Sequence, residues 1–264
     1  MNILVCMKQV PDTTEIKINP ETNTLIRAGV PSIVNPFDAY ALELAVRLKE
    51  KHGGTVTVLS MGPDQAIAAL RECLSVGADK AVLVTDRAFG GSDTLATSYI
   101  LSTCVKKLGG FDLIFTGKQA IGGDTGQVGP EMAEHLNIPQ VTCLMDVEVN
   151  DGKLEAKREH DKGYEMVECS LPALVSVIKT DYEPRYPSIR SKMAANKAEI
   201  TRLTAADLDL DVTRVGLKGS STKVKRTFTP PRKTGGTRIE EETPVENAKK
   251  LLSLLKERAI LLGR

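Results

Sequence analysis

None of the five cysteines, Cys6, Cys73, Cys104, Cys143 and Cys169, stands in a C-x-x-C pair or beside a histidine, and each has apolar neighbours. This excludes a zinc site and a disulfide framework and predicts five buried, reduced thiols. The three histidines, His52, His135 and His160, are scattered, and neither G-x-S-x-G nor H-E-x-x-H surrounds them. No hydrolytic machinery is visible. The formal net charge is +1, which gives no global attraction to nucleic acid, and no stretch approaches the ~18 apolar residues of a membrane span. The opening Met-Asn-Ile-Leu-Val-Cys-Met-Lys has neither the basic lead nor the cleavable apolar segment of a secretory signal, so the cytoplasm is the expected location.

What is present is enough apolar residue, 41% of 264, to bury a full core. Runs rich in β-branched residues at 3–7, 55–61, 81–85, 113–116 and 173–178 read as strands. Between most of them lie helical patterns at 36–50, 64–76 and 92–108, stopped by Gly53-Gly54, Gly77 and Gly109-Gly110. Strands apolar on both faces and alternating with helices predict an α/β fold, doubly wound around a mostly parallel sheet. In such a sheet the ligand lies beyond the carboxyl ends of the strands, where the strand order reverses. Segments 141–149, 153–159 and 164–171, separated by Asn150-Asp151-Gly152 and Asp161-Lys162-Gly163, read as a β-hairpin insertion.

The most informative stretch is Gly117-Lys-Gln-Ala-Ile-Gly-Gly-Asp-Thr-Gly-Gln-Val-Gly-Pro130, between the strand-like 111–116 and the helical 131–136. Gly122, Gly123, Gly126 and Gly129 let the backbone approach a ligand, and the N–H groups of a helix start attract a diphosphate. The alternative is an ordinary strand-to-helix turn. The spacing is neither G-x-G-x-x-G nor G-x-x-x-x-G-K-[ST], which disfavours a standard Rossmann dehydrogenase and a P-loop NTPase.

Beyond 178 regularity declines, and 207–238 is polar and punctuated by glycine and proline. Lys218, Lys223, Lys225, Arg226, Arg232 and Lys233 lie there among Val215, Leu217, Val224 and Phe228, with no acidic residue from 214 to 238. This is a solvated tail or a strap lying on another protein; RNA binding is disfavoured for want of stacking aromatics. Thr243-Pro244 then opens an amphipathic helix over 245–260 whose Leu251, Leu252, Leu254 and Leu255 call for a partner surface. The expected division is a nucleotide-binding domain over 1–195, an extended arm over 196–242 and a terminal helix over 243–264.

Several motifs in order resemble the beta subunit of electron-transfer flavoprotein over nearly the whole chain. They are Ile3-Leu-Val-Cys-Met-Lys8, Asn35-Pro-Phe-Asp38, Leu59-Ser-Met-Gly-Pro63, Gly117-Lys-Gln-Ala-Ile121, Arg158-Glu159 with the later Glu165, and Glu183-Pro-Arg-Tyr186. The resemblance implies a pocket in which Cys6 lies by the adenine. Asn35, Pro36, Phe37, Asp38 and Met61 line it, and Gly117, Gln119, Ala120 and the run from Gly122 to Val128 hold the phosphates. Within that run Gly123, Asp124, Thr125 and Gly126 are the expected diphosphate contacts, with Asp124 as a helix cap, and Gln127 reaches the ribityl chain or flavin ring. It further implies Arg158 and Glu159 near an alpha-subunit flavin, and a recognition loop over 183–193, with Arg185, Tyr186 and Ile189, that docks acyl-CoA dehydrogenases. Ile189 packed on its own domain is the competing reading.

In one-flavin members of the family the beta subunit holds AMP, and bulky acidic residues follow Gly-Lys-Gln-Ala-Ile. Here small residues replace them, and Lys8-Gln-Val-Pro-Asp12 also resembles the two-flavin, electron-bifurcating branch. The expectation is therefore a full FAD, reduced by NADH, that passes one electron to ferredoxin or flavodoxin and one through the alpha-subunit flavin to an acyl-CoA dehydrogenase. The subunit is then a redox carrier without acid, base or nucleophile. The alternatives are a carrier with structural AMP and an ATP-binding module of the universal-stress type.

Overall fold

The computed structural model describes residues 1–12, 31–225 and 235–258. The chain opens with β1 (Asn2–Cys6), and β2 (Gln9–Pro11) pairs antiparallel with β3 (Ser32–Val34) in a small separate sheet. Then come α1 (Pro36–His52), β4 (Thr55–Met61), α2 (Ile67–Ser75), β5 (Lys80–Val84), α3 (Thr94–Leu108), β6 (Leu113–Gly117) and α4 (Val128–Leu136). β7 (Gln140–Asn150), β8 (Lys153–His160), β9 (Gly163–Ser170) and β10 (Ala173–Val177) follow, then α5 (Ile189–Lys197), β11 (Thr201–Leu203), the short α6 (Gly216–Gly219) and α7 (Pro244–Glu257).

Local chemistry sets these helices. Pro36 occupies the first turn of α1, where a missing N–H costs nothing, and Gly53 ends it at φ +72°, a conformation that penalises a Cβ. Asp93 caps α3 by accepting the Ala96 N–H at 3.0 Å. Thr243 and Glu246 form the reciprocal capping box of α7. α4 begins at Val128, three residues before the predicted start, because Pro130 lacks only an N–H that a first turn leaves unpaired anyway.

Nine strands form one sheet in the order β11-β5-β4-β1-β6-β10-β7-β8-β9. The first seven run parallel, and the hairpin strands β8 and β9 extend the sheet antiparallel beyond β7. Alternation along each strand sends successive side chains to opposite faces. Ile3, Val5 and Phe115 pack with Leu42, Leu44 and Leu70 of α1 and α2, whereas Leu4, Ile114 and Leu174 pack with Ile100 of α3 and Met132 of α4. From β1 the chain moves outward to β4 and β5, then returns to the other side of β1 as β6, so the order reverses between β1 and β6.

Two expectations change. Residues 196–225 belong to the compact unit 1–225 instead of an arm. β11 pairs with β5, and Leu208 and Val215 are buried, so apolar residues set among polar ones are enough to hold this stretch against the domain. Gly216, at φ +61°, leaves no room for a Cβ beside the Ala88 carbonyl and donates its N–H to Ser92 Oγ at 3.0 Å. Cys6, Cys73 and Cys104 are buried as expected, but Cys143 and Cys169 are only half-buried. The second unit spans 226–264 and contains α7, with Leu251 and Leu252 exposed. Arg226, Phe228, Arg232, Lys233 and the predicted helix end at Ile260 lie outside the described residues.

Leu70 of α2 is fully buried and far in sequence from the loops at the β1/β6 reversal. Leu70→Ala removes packing that cannot fully collapse, so it should cost about 2–5 kcal/mol in denaturant unfolding. A loss below about 1 kcal/mol would mean that the α2 face of the sheet is not the core described.

Candidate nucleotide site

At the strand-order reversal the turn after β1, the start of α1, the end of β4 and the loop after β6 are joined by hydrogen bonds, and this is where a crevice for a ligand is expected. Asp38, on the first turn of α1, accepts the Lys8 N–H at 2.7 Å through one carboxylate oxygen and the Gly117 N–H at 3.0 Å through the other. Asn35, just before α1, donates its N–H to the Lys8 carbonyl at 2.9 Å and its side-chain amide to the Gln119 carbonyl at 2.9 Å. Its Oδ1 accepts the Ile121 N–H at 3.2 Å. Asn35 is 0% exposed and Asp38 6%. Gly117 has to be glycine, since a Cβ there would stand 2.3 Å from Asp38 Oδ1 and 2.7 Å from Phe37 Cβ.

Burial pushes the Asp38 carboxyl up to about 7, against the lowering pull of the Lys8 N–H, the Asn35 side chain and the Gly117 N–H. Cys6 ends β1, buried, and its thiol is held far above the usual range, first by desolvation and then by Asp38 and Cys104. A thiol so raised is neutral and not a nucleophile. Met61 ends β4 half-buried at the same edge.

The glycine loop folds back on itself, with the Gly123 and Asp124 N–H groups donating to the Ala120 carbonyl at 3.3 and 3.0 Å. Gly122 and Gly126 lie at φ +95° and +64°. Asp124, expected as a helix cap, instead sits at φ +50° and accepts the Gln119 side-chain amide at 3.1 Å. The residue capping α4 is Gln127, whose side chain makes no cap bond; its Oε1 accepts Thr94 Oγ1 at 3.1 Å. Among the described residues the Val128 and Gly129 N–H groups therefore have no side-chain acceptor, at the positive end of the helix. A Cβ on Gly122 or Gly123 would meet nothing within 4 Å, while one on Gly129 would meet Thr116 Oγ1 at 2.7 Å. Thr125 is exposed, and Gly126 and Val128 are half-buried.

The run expected to hold the phosphates also contains a cation. Lys118 directly follows Gly117 and is half-buried, and among the described residues its ammonium has no ion pair or hydrogen bond.

Arg158 and Glu159 are not brought together, because adjacent strand residues face opposite ways. Arg158 pairs with Glu165 across β8 and β9 at 3.3 Å and reaches Thr142 Oγ1 at 3.3 Å, whereas Glu159 is exposed. The segment before α5 is tied along one face of α1. Tyr40 bonds Glu183 at 3.2 Å, the Arg47 guanidinium stacks 3.9 Å over Tyr182, and Arg185 grips Glu43 at 2.8 Å and Glu50 at 2.6 Å. Arg185, expected at a partner surface, is thus engaged within the chain. What remains outward is Tyr186 at 95% exposure, Ile189 at 83% and Met193; Ile189 does not pack on its own domain.

Among the described residues there is no cluster of metal-ligating side chains and no helix long and apolar enough to cross a membrane. A family model described as "Electron transfer flavoprotein domain" matches residues 22–208. The chain is 52% identical to an electron transfer flavoprotein subunit beta of Clostridium acetobutylicum, over 97% of this chain and 98% of that protein. It is 48% identical to the caffeyl-CoA reductase-Etf complex subunit CarD of Acetobacterium woodii, over 99% and 100%. With protein FixA of Bradyrhizobium diazoefficiens it shares 44% identity, over 94% and 87%.

Asp38 is raised in the fold, so its contribution to stability is complete below about pH 4 and is lost as pH rises toward about 7. The unfolding midpoint of the wild type minus that of Asp38→Asn should therefore fall between about pH 4 and pH 7 and stay level above. A difference that does not change across this window would show that burial does not govern the carboxyl.

Proposed function

The chain belongs to the electron transfer flavoprotein family as a beta subunit, and from that premise we propose that it binds a full FAD in the β1/β6 crevice and serves as the NADH-oxidising half of an electron-bifurcating heterodimer. Family membership sets aside the universal-stress ATP module. The observation that carries the FAD reading is the small-residue tip of the loop, where Gly122 and Gly123 are exposed and a Cβ on either would meet nothing within 4 Å, followed in the chain by a helix start that its N-cap side chain does not cap. A monophosphate does not need an unobstructed loop tip, whereas a diphosphate continuing outward does.

In this reading Cys6, Met61, Pro36, Phe37 and the backbone of Asn35 and Asp38 wall the adenosine, while the Asn35 and Asp38 side chains are turned to the loops. Gly117, Gln119 and Ala120 form the root of the phosphate loop. The backbone of Gly122, Gly123, Gly126 and Val128, the Thr125 hydroxyl and the Lys118 ammonium face the diphosphate. Asp124 is bonded to the Gln119 side-chain amide and holds the turn of the loop. Gln127, held by Thr94, is assigned to the ribityl chain or flavin ring. When bound, FAD supplies hydride acceptance from NADH and separate one-electron transfers, to ferredoxin or flavodoxin and, through the alpha-subunit flavin, to an acyl-CoA dehydrogenase. The chain itself supplies position, charge and exclusion of water.

The partner surfaces follow the same reading. Arg158, fixed by Glu165, is turned to the alpha subunit near its flavin, with Glu159 on the other face of β8 at the same end of the hairpin, and α7 with its exposed leucines packs on that subunit. Tyr186 and Ile189 enter the dehydrogenase, with Arg185 holding their base against α1. The relative named as part of a caffeyl-CoA reductase complex supports a CoA-thioester oxidoreductase as that partner. A working place in the cytoplasm is part of the proposal.

Flavin counting on the purified heterodimer tests the central point. Two FAD per heterodimer and no AMP are expected, with bleaching of the flavin absorbance by NADH; one FAD and one AMP would instead assign a one-flavin carrier. For docking, Ile189→Asp should leave flavin content unchanged and slow electron exchange with the dehydrogenase at least about tenfold, since a buried interfacial anchor carries much of the binding energy. Unchanged exchange would remove Ile189 from the interface.

A further inference from the structure

We propose that Asn35 and Asp38 are positioning residues whose side chains staple the turn after β1 to the loop after β6, and so set the separation of the two loops at the nucleotide site without themselves bonding the nucleotide. The inference rests on the reading of that crevice as a nucleotide site, but not on which nucleotide fills it.

β1 and β6 are paired from Ile3 opposite Leu113 to Val5 opposite Phe115, and there the ladder ends. Beyond it each strand turns to its other neighbour. The Met7 N–H donates to the Leu59 carbonyl of β4, and the Lys118 N–H donates to the Val177 carbonyl of β10. The two chains therefore splay apart at the point where the strand order reverses. In a continuous sheet a splay of this kind is fixed by the ladder on either side, but here backbone pairing between the two chains has stopped.

Side chains from the start of α1 take over. Asp38 accepts one N–H from each chain, Lys8 from the first and Gly117 from the second. Asn35 does the same with different groups, joining the Lys8 carbonyl to the Gln119 carbonyl and the Ile121 N–H. Both side chains are at least nine-tenths buried, and the polar atoms of each are occupied by these bonds. A carboxylate already shared between two N–H donors and shut from water has little to offer a ligand, and a second anion beside the phosphates would oppose them. What it offers is a fixed separation between two backbones. Gly117 completes the fit, since any Cβ there would strike Asp38 Oδ1.

A positioning role separates retention of the nucleotide from stability of the fold. The full-length chain, co-expressed with its alpha subunit, is purified as wild type and as Asp38→Ala, Asp38→Asn, Asn35→Ala and Leu70→Ala. The released FAD or AMP is followed by chromatography over time alongside the thermal midpoint. Asp38→Ala and Asn35→Ala should shed the nucleotide of this subunit at least about tenfold faster than wild type. Asp38→Asn, isosteric and keeping one acceptor, should fall between. Leu70→Ala should lower the midpoint as much or more yet release nucleotide within about twofold of wild type. Should Asp38→Ala not fold, Asp38→Asn and Asn35→Ala give the same decision. Release rates within twofold of wild type in the staple variants, or a Leu70→Ala rate equal to theirs, would overturn the proposal. The identity of the released nucleotide is a separate outcome: AMP in place of FAD would change the proposed function and leave the staple intact.

Discussion

The molecule depends on one carboxylate placed where a parallel sheet comes apart. Asp38 lies at the divergence of β1 and β6 and holds both by backbone N–H groups at 2.7 and 3.0 Å. Hydrogen bonds to an ionised acceptor contribute roughly 1.5–3 kcal/mol each, but a carboxylate removed from water opposes them. Burial is the larger influence on this group, since its carboxyl is raised and not lowered. A chain selected only for stability would put an apolar residue there. The carboxylate does what an apolar residue could not, which is to bind two divergent backbones whose own ladder has ended.

Around this point the glycines divide into two kinds. Gly117 and Gly129 are needed for close packing, against Asp38 and Phe37 in one case and Thr116 in the other. Gly122 and Gly123 touch nothing where a side chain would be, so their smallness leaves space. A single loop thus combines a tight root with an open tip. The root fixes where the backbone starts and the tip fixes how much room lies beyond it, and α4 brings the positive end of its dipole to the same place. Lys118 stands at the junction of root and tip.

Sequence reasoning captured what has a short period. Apolar alternation and helical spacing located the strands of the main sheet other than β11, and α1 to α3, and the dense run of glycines marked the loop after β6. It could not see bonds between distant residues. Asp38 and Gly117 are 79 positions apart, and nothing local to either announces the other. Arg185 shows the same limit, because its partners Glu43 and Glu50 lie 142 and 135 positions away. An exposed arginine in a polar segment reads as free until the helix that receives it is in place. The stretch over 196–225 was misjudged for a related reason: Leu208 and Val215 are too few and too irregularly spaced to show a period, yet each is buried.

These long-range bonds converge on α1. Its first turn, through Asn35 and Asp38, holds the two loops of the crevice; farther along, Tyr40, Glu43, Arg47 and Glu50 hold the segment over 182–185. The steps from 40 to 43, 47 and 50 keep one helical face turned to that segment. Asp38 and Glu50 are twelve residues apart, roughly 18 Å at 1.5 Å per residue. Glu43 is buried and ion-paired to a bidentate arginine, an arrangement more useful for fixing geometry than for stability. It holds the root from which the exposed Tyr186 and Ile189 project. One rigid helix, packed along its apolar face on β1 and β6, therefore sets both the opening of the crevice and the position of the exposed segment. The distance between them is fixed by the rise of an α-helix and does not depend on loops that could be drawn out or compressed.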